Sequence, residues 1–168
     1  MKKRLVVPVA LVALLMSILT TSASAISSPR VIRLVDVTAR EVQLGSFTFE
    51  RPPAGGDQFA FVDRLYRWAG TKRGAPAGRV DGMATFITGF GPNFSRRALA
   101  LFVAQAYLPG GSVLVQGYAR INPNGPSTFT FPIVGGTGAY DNVRGFVKVR
   151  NLGNGEGNAS ALEIHLRP

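Results

Sequence analysis

One carboxylate in the first predicted strand has the setting that acid–base chemistry requires. Asp36 alternates with Ile32 and Leu34 on one face of the segment Val31–Thr38. If this face lines a cavity, its aliphatic neighbours raise the pKa of the carboxyl, which could then act as a general acid or orient a ligand hydroxyl. The alternative is an aspartate at a strand end that caps a turn. We take Asp36 as a candidate catalytic residue.

A second candidate catalytic residue follows the densest run of glycines. Arg144 lies between the segment Gly135–Gly138 and Gly145. Glycines at this density are typical of a backbone that adopts positive φ or lets strands approach closely. We expect Arg144 near the mouth of a β-barrel, where its guanidinium could bind an anionic or phenolic oxygen or pair with Asp36. The alternative is an ion pair that only holds the loop.

Aromatic and hydroxyl side chains form the third group that could contact a ligand. Tyrosine hydroxyls could donate hydrogen bonds and phenylalanine rings suit an apolar or aromatic ligand, but both equally fill a packed core. Asp63 and Tyr66 fall on opposite faces of one predicted strand, so both can face a cavity only if a bulge intervenes. The candidate ligand-binding residues are Thr38, Phe61, Tyr66, Tyr118, Phe131 and Tyr140.

The cysteine and histidine content excludes whole classes of site. The chain has no Cys, which excludes disulfides, zinc–thiolate sites and cysteine nucleophiles. Its one histidine, His165, rules out metal sites built on several histidines and any Ser-His-Asp triad built without it. His165 alternates with Ile164 and Leu166, which favours a structural role. We therefore predict no metal ion and no cofactor.

The first 25 residues have the pattern of a secretory signal peptide of the bacterial type. A basic head at residues 2–4 precedes an apolar run at residues 5–19 and an Ala-Ser-Ala end at residues 23–25. The apolar run is shorter than the roughly 20 residues of a membrane-spanning helix. We predict cleavage after Ala25, a secreted single domain over residues 26–168 and no membrane span after cleavage. The alternative is a retained membrane anchor.

The net charge is strongly positive but dispersed. The formal charge is +10, with 19 basic and 9 acidic residues. Three of the positive charges precede the predicted cleavage point. The basic residues form no long block and match no known nucleic-acid-binding motif, so we predict no nucleic-acid partner. A solubilising surface is favoured over attraction to acidic polymers of a cell envelope.

Turn signals recur at regular spacing and separate about eight strand segments, whereas no long stretch keeps a helical period. This pattern predicts an all-β fold, either an antiparallel barrel or a sandwich. The residues from Ala98 to Ala104 are apolar on both faces, and we predict the contact of a homo-oligomer, a dimer or trimer, there. The predicted strands are Val31–Thr38, Gln58–Trp68, Arg79–Thr88, Ala98–Tyr107, Ser112–Ile121, Thr128–Val134, Gly145–Arg150 and Ser160–Leu166, with Leu44–Phe49 either a strand or part of a loop.

Four sequence blocks resemble the dirigent proteins and the wider allene oxide cyclase barrel-like family, and they follow the family order over most of residues 26–168. The resemblance implies an eight-stranded antiparallel β-barrel, calycin-like, with a ligand cavity. The blocks are Val-Asp-Val at residues 35–37, the Gly-Asp to Leu-Tyr strand at 56–66, Leu-Pro-Gly-Gly to Gln-Gly at 108–117, and Gly-Gly-Thr-Gly to Arg-Gly at 135–145.

The resemblance also implies a kind of chemistry. The plant cyclase folds a reactive fatty-acid epoxide, and dirigent proteins steer phenoxy radicals or quinone methides, in each case by restricting substrate geometry. Asp36 and Thr38 stand where the plant cyclase has Glu and Asn, so that cyclase activity is not expected. We expect a barrel that binds a hydrophobic or aromatic small molecule and steers its cyclisation, isomerisation or coupling. The alternatives are a carrier barrel without turnover and a basic envelope or matrix protein.

Overall fold

Eight strands form a closed antiparallel barrel in the computed structural model, which describes residues 28–44, 51–69, 72–122, 128–152 and 159–168. Each strand pairs with the next, and pairing of the first with the last completes the ring, which confirms the predicted barrel. The strands are β1 (Arg30–Leu44), β2 (Gln58–Ala69), β3 (Lys72–Thr88), β4 (Ala98–Leu108), β5 (Gly111–Ile121), β6 (Thr128–Gly138), β7 (Arg144–Asn151) and β8 (Ala159–Arg167).

Three strands extend well beyond their predicted bounds, and one of them, β6, continues from the predicted end at Val134 to Gly138. β1 continues past Thr38 to Leu44 because a bulge between Thr38 and Arg40 accommodates Ala39 without ending the pairing with β2. β3 begins at Lys72, before the predicted start at Arg79, and its pairing with β2 is irregular near Pro76. The predicted signal peptide and the segment 45–49 lie outside the described residues. Within the described ranges, no helix is long and apolar enough to cross a membrane.

Successive strands run up and down, so the connections alternate between the two ends of the barrel. One end carries the β2–β3, β4–β5 and β6–β7 turns. This end is filled by a buried apolar cluster that we call the plug, and the barrel is therefore closed there. The plug consists of Leu34, Leu65, Val80, Leu108, Val113, Ile133, Tyr140, Val143, Val147, Leu162, Ile164 and Leu166.

Glycines at the closed end permit contacts between backbones. A Cβ at Gly136 would overlap the carbonyl oxygen of Tyr140 and lie 3.0 Å from that of Ser112. Gly145 has φ of 135°, and a Cβ there would overlap the carbonyl oxygen of His165. The glycine-rich block that resembles the dirigent signature therefore serves the close packing of β5, β6 and the turn to β7.

The opposite end of the barrel is organised by an aspartate and an aromatic cluster. The backbone N–H of Ala54 donates to Asp57 Oδ2 at 2.7 Å, and Arg51 pairs with the same carboxylate at 3.2 Å. These contacts order the segment that precedes β2. A second buried cluster lies here, and it consists of Phe86, Phe90 and two residues at the start of β4, Ala98 and Ala100.

Candidate functional site

The barrel encloses a cavity of about 440 Å³ between the plug and the open end. Inward-facing residues of all eight strands form its wall, because alternate side chains of a closed sheet point to the same interior. Its described lining residues are Asp36, Thr38, Glu41, Phe59, Phe61, Asp63, Val80, Phe102, Ala104, Ala106, Val115, Ile121, Phe129, Phe131, Val147, Val149, Asn151, Ser160, Leu162 and Ile164.

Two aspartates meet on the inner face of β1 and β2. Thr38 pairs directly with Asp63 across the two strands, and Asp36 lies two residues before Thr38 on the same face. Asp36 and Thr38 both form side-chain hydrogen bonds with Asp63. On the other side, Asp36 is paired in register with Ser160 of β8. The pair therefore lies where the plug, which begins at the neighbouring Leu34, gives way to the cavity.

The environment of the pair favours one shared proton. Burial, the nearby charge of Asp63 and the hydrogen bond between the two side chains raise the pKa of Asp36 to about 8. Burial also raises the pKa of Asp63, to about 6, against the opposing effect of the hydrogen bonds from Asp36 and Thr38. At neutral pH the pair thus holds one proton in the hydrogen bond between its two carboxyl groups, and Asp36 is the less acidic member.

The bulge in β1 adds a third carboxyl group to the cavity. Because the register shifts after Thr38, Glu41 lies opposite Phe61 and lines the cavity nearer its open end. Burial raises the pKa of Glu41. Among the described residues that line the cavity, none is Lys, Arg or His. In the described part of the chain, no group of three or more His, Asp or Glu residues is placed to hold a metal ion.

Aromatic rings form much of the remaining wall. Phe102 and Phe131 have ring centroids 5.4 Å apart, and Phe59 lies 5.9 Å from Phe61 by the same measure. The ring of Phe61 lies over Gly82 of β3, where a Cβ would overlap it. The cavity therefore combines flat apolar walls with a polar pair at one side, an arrangement that can hold an aromatic molecule and exchange a proton with it.

The structure brings four of the eight predicted site residues into the cavity. Asp36, Thr38, Phe61 and Phe131 all line it. The other four residues do not line it, and the structure places each of them elsewhere. Arg144 is exposed at the closed end, Tyr66 faces outward under Arg73, Tyr118 is 65% exposed on the outer face, and Tyr140 is buried in the plug, where its hydroxyl donates to the Pro109 carbonyl oxygen.

Arg144 is separated from Asp36 because the glycine-rich turn lies at the closed end, not at the mouth of the cavity. Arg144 is paired in register with Arg167, at the end where β8 finishes. A shallow surface cleft next to it is formed by the β6–β7 turn. The expected pairing of Arg144 with Asp36 therefore does not occur in this arrangement of strands.

Two carboxyl groups of the cavity are absent from the residues predicted from the sequence. Asp63 shares the two-residue spacing of Phe59 and Phe61, and this spacing is a signal that could have identified it. Glu41 has no such signal, because only the bulge at Ala39 turns it inward. Without the bulge, Arg40 would occupy the inward position.

Another cleft, of about 710 Å³, lies on the outside at the open end. It is formed by the segments on either side of the 3₁₀ turn at Pro92–Phe94 and by residues 51–55. One of its arginines, Arg51, is already paired with Asp57. We base the candidate site on the interior cavity, where polar groups converge within apolar walls.

Comparisons with known proteins agree with this architecture. No protein-family model matches the chain, and no curated protein matches it in sequence. A pyocyanin demethylase has a TM-score of 0.62 at 20% identity, over 82% of this chain and 100% of its own. An exo-specific intermolecular Diels-Alderase has a TM-score of 0.61 at 19% identity, over 82% and 98%. A pterocarpan synthase dirigent protein has a TM-score of 0.59 at 16% identity, over 83% and 87%. The chain therefore has the barrel fold of the dirigent-like proteins, as its four sequence blocks predict.

Proposed function

We propose that the protein binds an aromatic or otherwise apolar small molecule in its barrel cavity and steers the cyclisation, isomerisation or coupling of that molecule. The observation that supports this most directly is the Asp36–Asp63 pair, which faces an enclosed cavity with phenylalanine walls. A purely apolar interior would favour carriage without reaction. Proteins of the same fold include a Diels-Alderase and a pterocarpan synthase dirigent protein, which supports small-molecule chemistry at a coarse level.

The pair provides a proton donor and a proton acceptor at adjacent positions. Asp36, which holds its proton at neutral pH, can donate it to a substrate oxygen on which negative charge develops. The Asp63 carboxylate can take a proton from a carbon or hydroxyl of the same substrate. One proton enters and one leaves the substrate, so an isomerisation is balanced. The walls restrict the substrate to a reactive geometry.

A base-catalysed elimination tests this pair without knowledge of the natural substrate. A base converts 5-nitrobenzisoxazole, a flat apolar molecule, to a coloured phenolate by removing one proton as the N–O bond breaks. We expect the protein to catalyse this reaction, with a rate that rises with pH through about 6 as Asp63 loses its proton. We expect Asp63→Asn to reduce the rate about 100-fold.

The matched control is Asp81→Asn on β3. The Asp81 carboxylate pairs with Arg79 at 3.1 Å and does not line the cavity, so its loss leaves the elimination unchanged. If the wild type binds the probe but reacts no faster than Asp63→Asn, the cavity is a carrier site and the steering role is overturned. If the wild type does not bind the probe, the proposed site itself is wrong.

We also propose that the protein self-associates through an outer apolar face that spans β3, β4 and β5. Register places Val103 beside Met83, and Leu101 beside Tyr118, so these side chains form one continuous surface. Met83 is 39% exposed and Ile87 is 48% exposed. A continuous exposed apolar surface of this kind marks an interaction site. The outer apolar face comprises Met83, Ile87, Leu99, Leu101, Val103 and Tyr118.

A further inference from the structure

The cavity holds negative charge that the described residues around it do not neutralise. Asp63 is only 5% exposed, and its Oδ1 has no hydrogen-bond partner among the residues that the structure describes. The Oδ1 atom of Asp36 is also buried without a partner in this part of the chain. Glu41 contributes the third carboxyl, and the described lining contains no basic residue. Among the connections at the open end, the sequences at residues 45–50, 123–127 and 153–158 contain no Lys or Arg, and the arginines of the other segments, Arg51, Arg96 and Arg97, line the separate outer cleft.

A buried carboxylate without a positive partner is unfavourable, because it has lost water and gained no opposite charge. A cation that enters the cavity removes this cost, and the attraction is strong because the surroundings are apolar. The faces of Phe61 and Phe131 favour a cation as well, since the face of an aromatic ring carries partial negative charge. The described lining offers an anionic ligand no positive charge, only neutral donors such as Thr38 and Ser160.

We propose that the ligand of this cavity is an aromatic cation, a flat ring system with a protonated or quaternary nitrogen. Its positive charge contacts Asp63 and Glu41, and its rings pack between the phenylalanine walls. This inference rests on the proposed function and specifies the class of its substrate. The cavity volume of about 440 Å³ admits a molecule of two or three fused rings.

The same geometry gives cation binding a characteristic pH dependence. The titratable groups that face the cavity are Asp36 and Glu41 on β1 and Asp63 on β2, and the described lining residues of β3 to β8 contribute none. Protonation of Asp63 near pH 6 removes one of the two charges that attract the cation. Affinity for a cation therefore falls as the pH is lowered from 7 to 5, and affinity for a neutral molecule of the same shape stays constant.

Three probes of nearly equal size separate the effect of charge from that of shape. N-methylquinolinium is cationic, 1-methylnaphthalene is neutral and 1-naphthoate is anionic. Their affinities can be measured by displacement of the fluorescent neutral ligand 1-aminoanthracene from the full protein. We expect the cation to bind at least about tenfold more tightly than the neutral probe at pH 7, and the anion to bind most weakly.

Asp63→Asn is expected to weaken the cation preference while 1-methylnaphthalene still binds, and Asp81→Asn is the matched control that retains the full preference. If all three probes bind the wild type equally, the inference of a cationic ligand is overturned and the proposed apolar site stands. If neither 1-aminoanthracene nor any of the three probes binds, both this inference and the proposed function are wrong. If Asp63→Asn fails to fold, the affinities of the cationic and neutral probes are compared in Glu41→Gln, which removes the carboxylate nearer the open end.

Discussion

The proton held by Asp36 makes the stability of the barrel depend on pH. The folded-state pKa of about 8 lies above the ordinary value of 3.8, so the folded protein binds this proton more tightly than the unfolded chain does. The stabilisation is fully present below pH 3.8 and is lost as the pH rises through about 8. Asp36→Asn removes the titrating group and should therefore stabilise the protein mainly at high pH.

We expect Asp36→Asn to raise the free energy of unfolding at pH 8 by more than about 2 kcal/mol relative to its effect at pH 4, measured by urea denaturation, because each unit of pKa shift corresponds to about 1.4 kcal/mol. Asp81→Asn, on the outer surface, should show no comparable difference between the two pH values. An Asp36→Asn effect that is the same at pH 4 and pH 8 would contradict the raised pKa.

At the residue scale, the sequence places some side chains correctly where the strand period is regular, although Tyr118 on the regularly paired part of β5 faces outward. Asp36, Phe61 and Phe131 lie in regular parts of β1, β2 and β6, away from the register shifts of these strands, and the structure places all three inward. Glu41 could not be predicted, because the position of the bulge depends on the pairing of β1 with β2. Arg144 could not be placed, because the sequence does not show at which end of the barrel its turn lies.

At the scale of elements, two adjacent glycines of β6 differ in how closely the neighbouring chain approaches them. A Cβ at Gly136 meets the backbone of both the β6–β7 turn and β5, and backbone cannot move aside as a side chain can. A Cβ at the adjacent Gly135 has no neighbour closer than 3.9 Å, the Leu114 side chain. These adjacent glycines therefore provide a matched test of close strand packing.

We expect Gly136→Ala to lower the free energy of unfolding by more than about 3 kcal/mol, because the turn and β5 must both shift. Gly135→Ala should change it by less than about 1 kcal/mol. Thermal or urea denaturation of the two variants measures the difference. Equal effects of the two substitutions would show that the close approach at Gly136 is not required.

At the scale of the whole molecule, two features of the sequence predicted the closed barrel. Regular turns and alternating apolar residues indicated an all-β fold, but they left a sandwich possible. The four family-like blocks favoured the barrel over the sandwich. Neither signal could show that the plug fills one end only, because Leu, Val and Ile alternate in the same way in a hollow barrel and in a filled one.

At the scale of the whole molecule, the proposal that copies associate through the outer apolar face is tested by the oligomeric state. Leu101 and Val103 lie at its centre. A charged side chain there would be buried against the second copy and should therefore prevent association. We expect the wild type to elute as an oligomer in size-exclusion chromatography with light scattering, and Leu101→Lys to elute with the mass of one chain.

Val31→Lys, at a site 41% exposed on β1, is the matched control and should leave the oligomer intact. Because Leu101 points away from the cavity, the lysine variant should retain displacement of 1-aminoanthracene, which separates lost association from lost folding. A wild type that is monomeric at every concentration measured would rule out this face as a contact between copies.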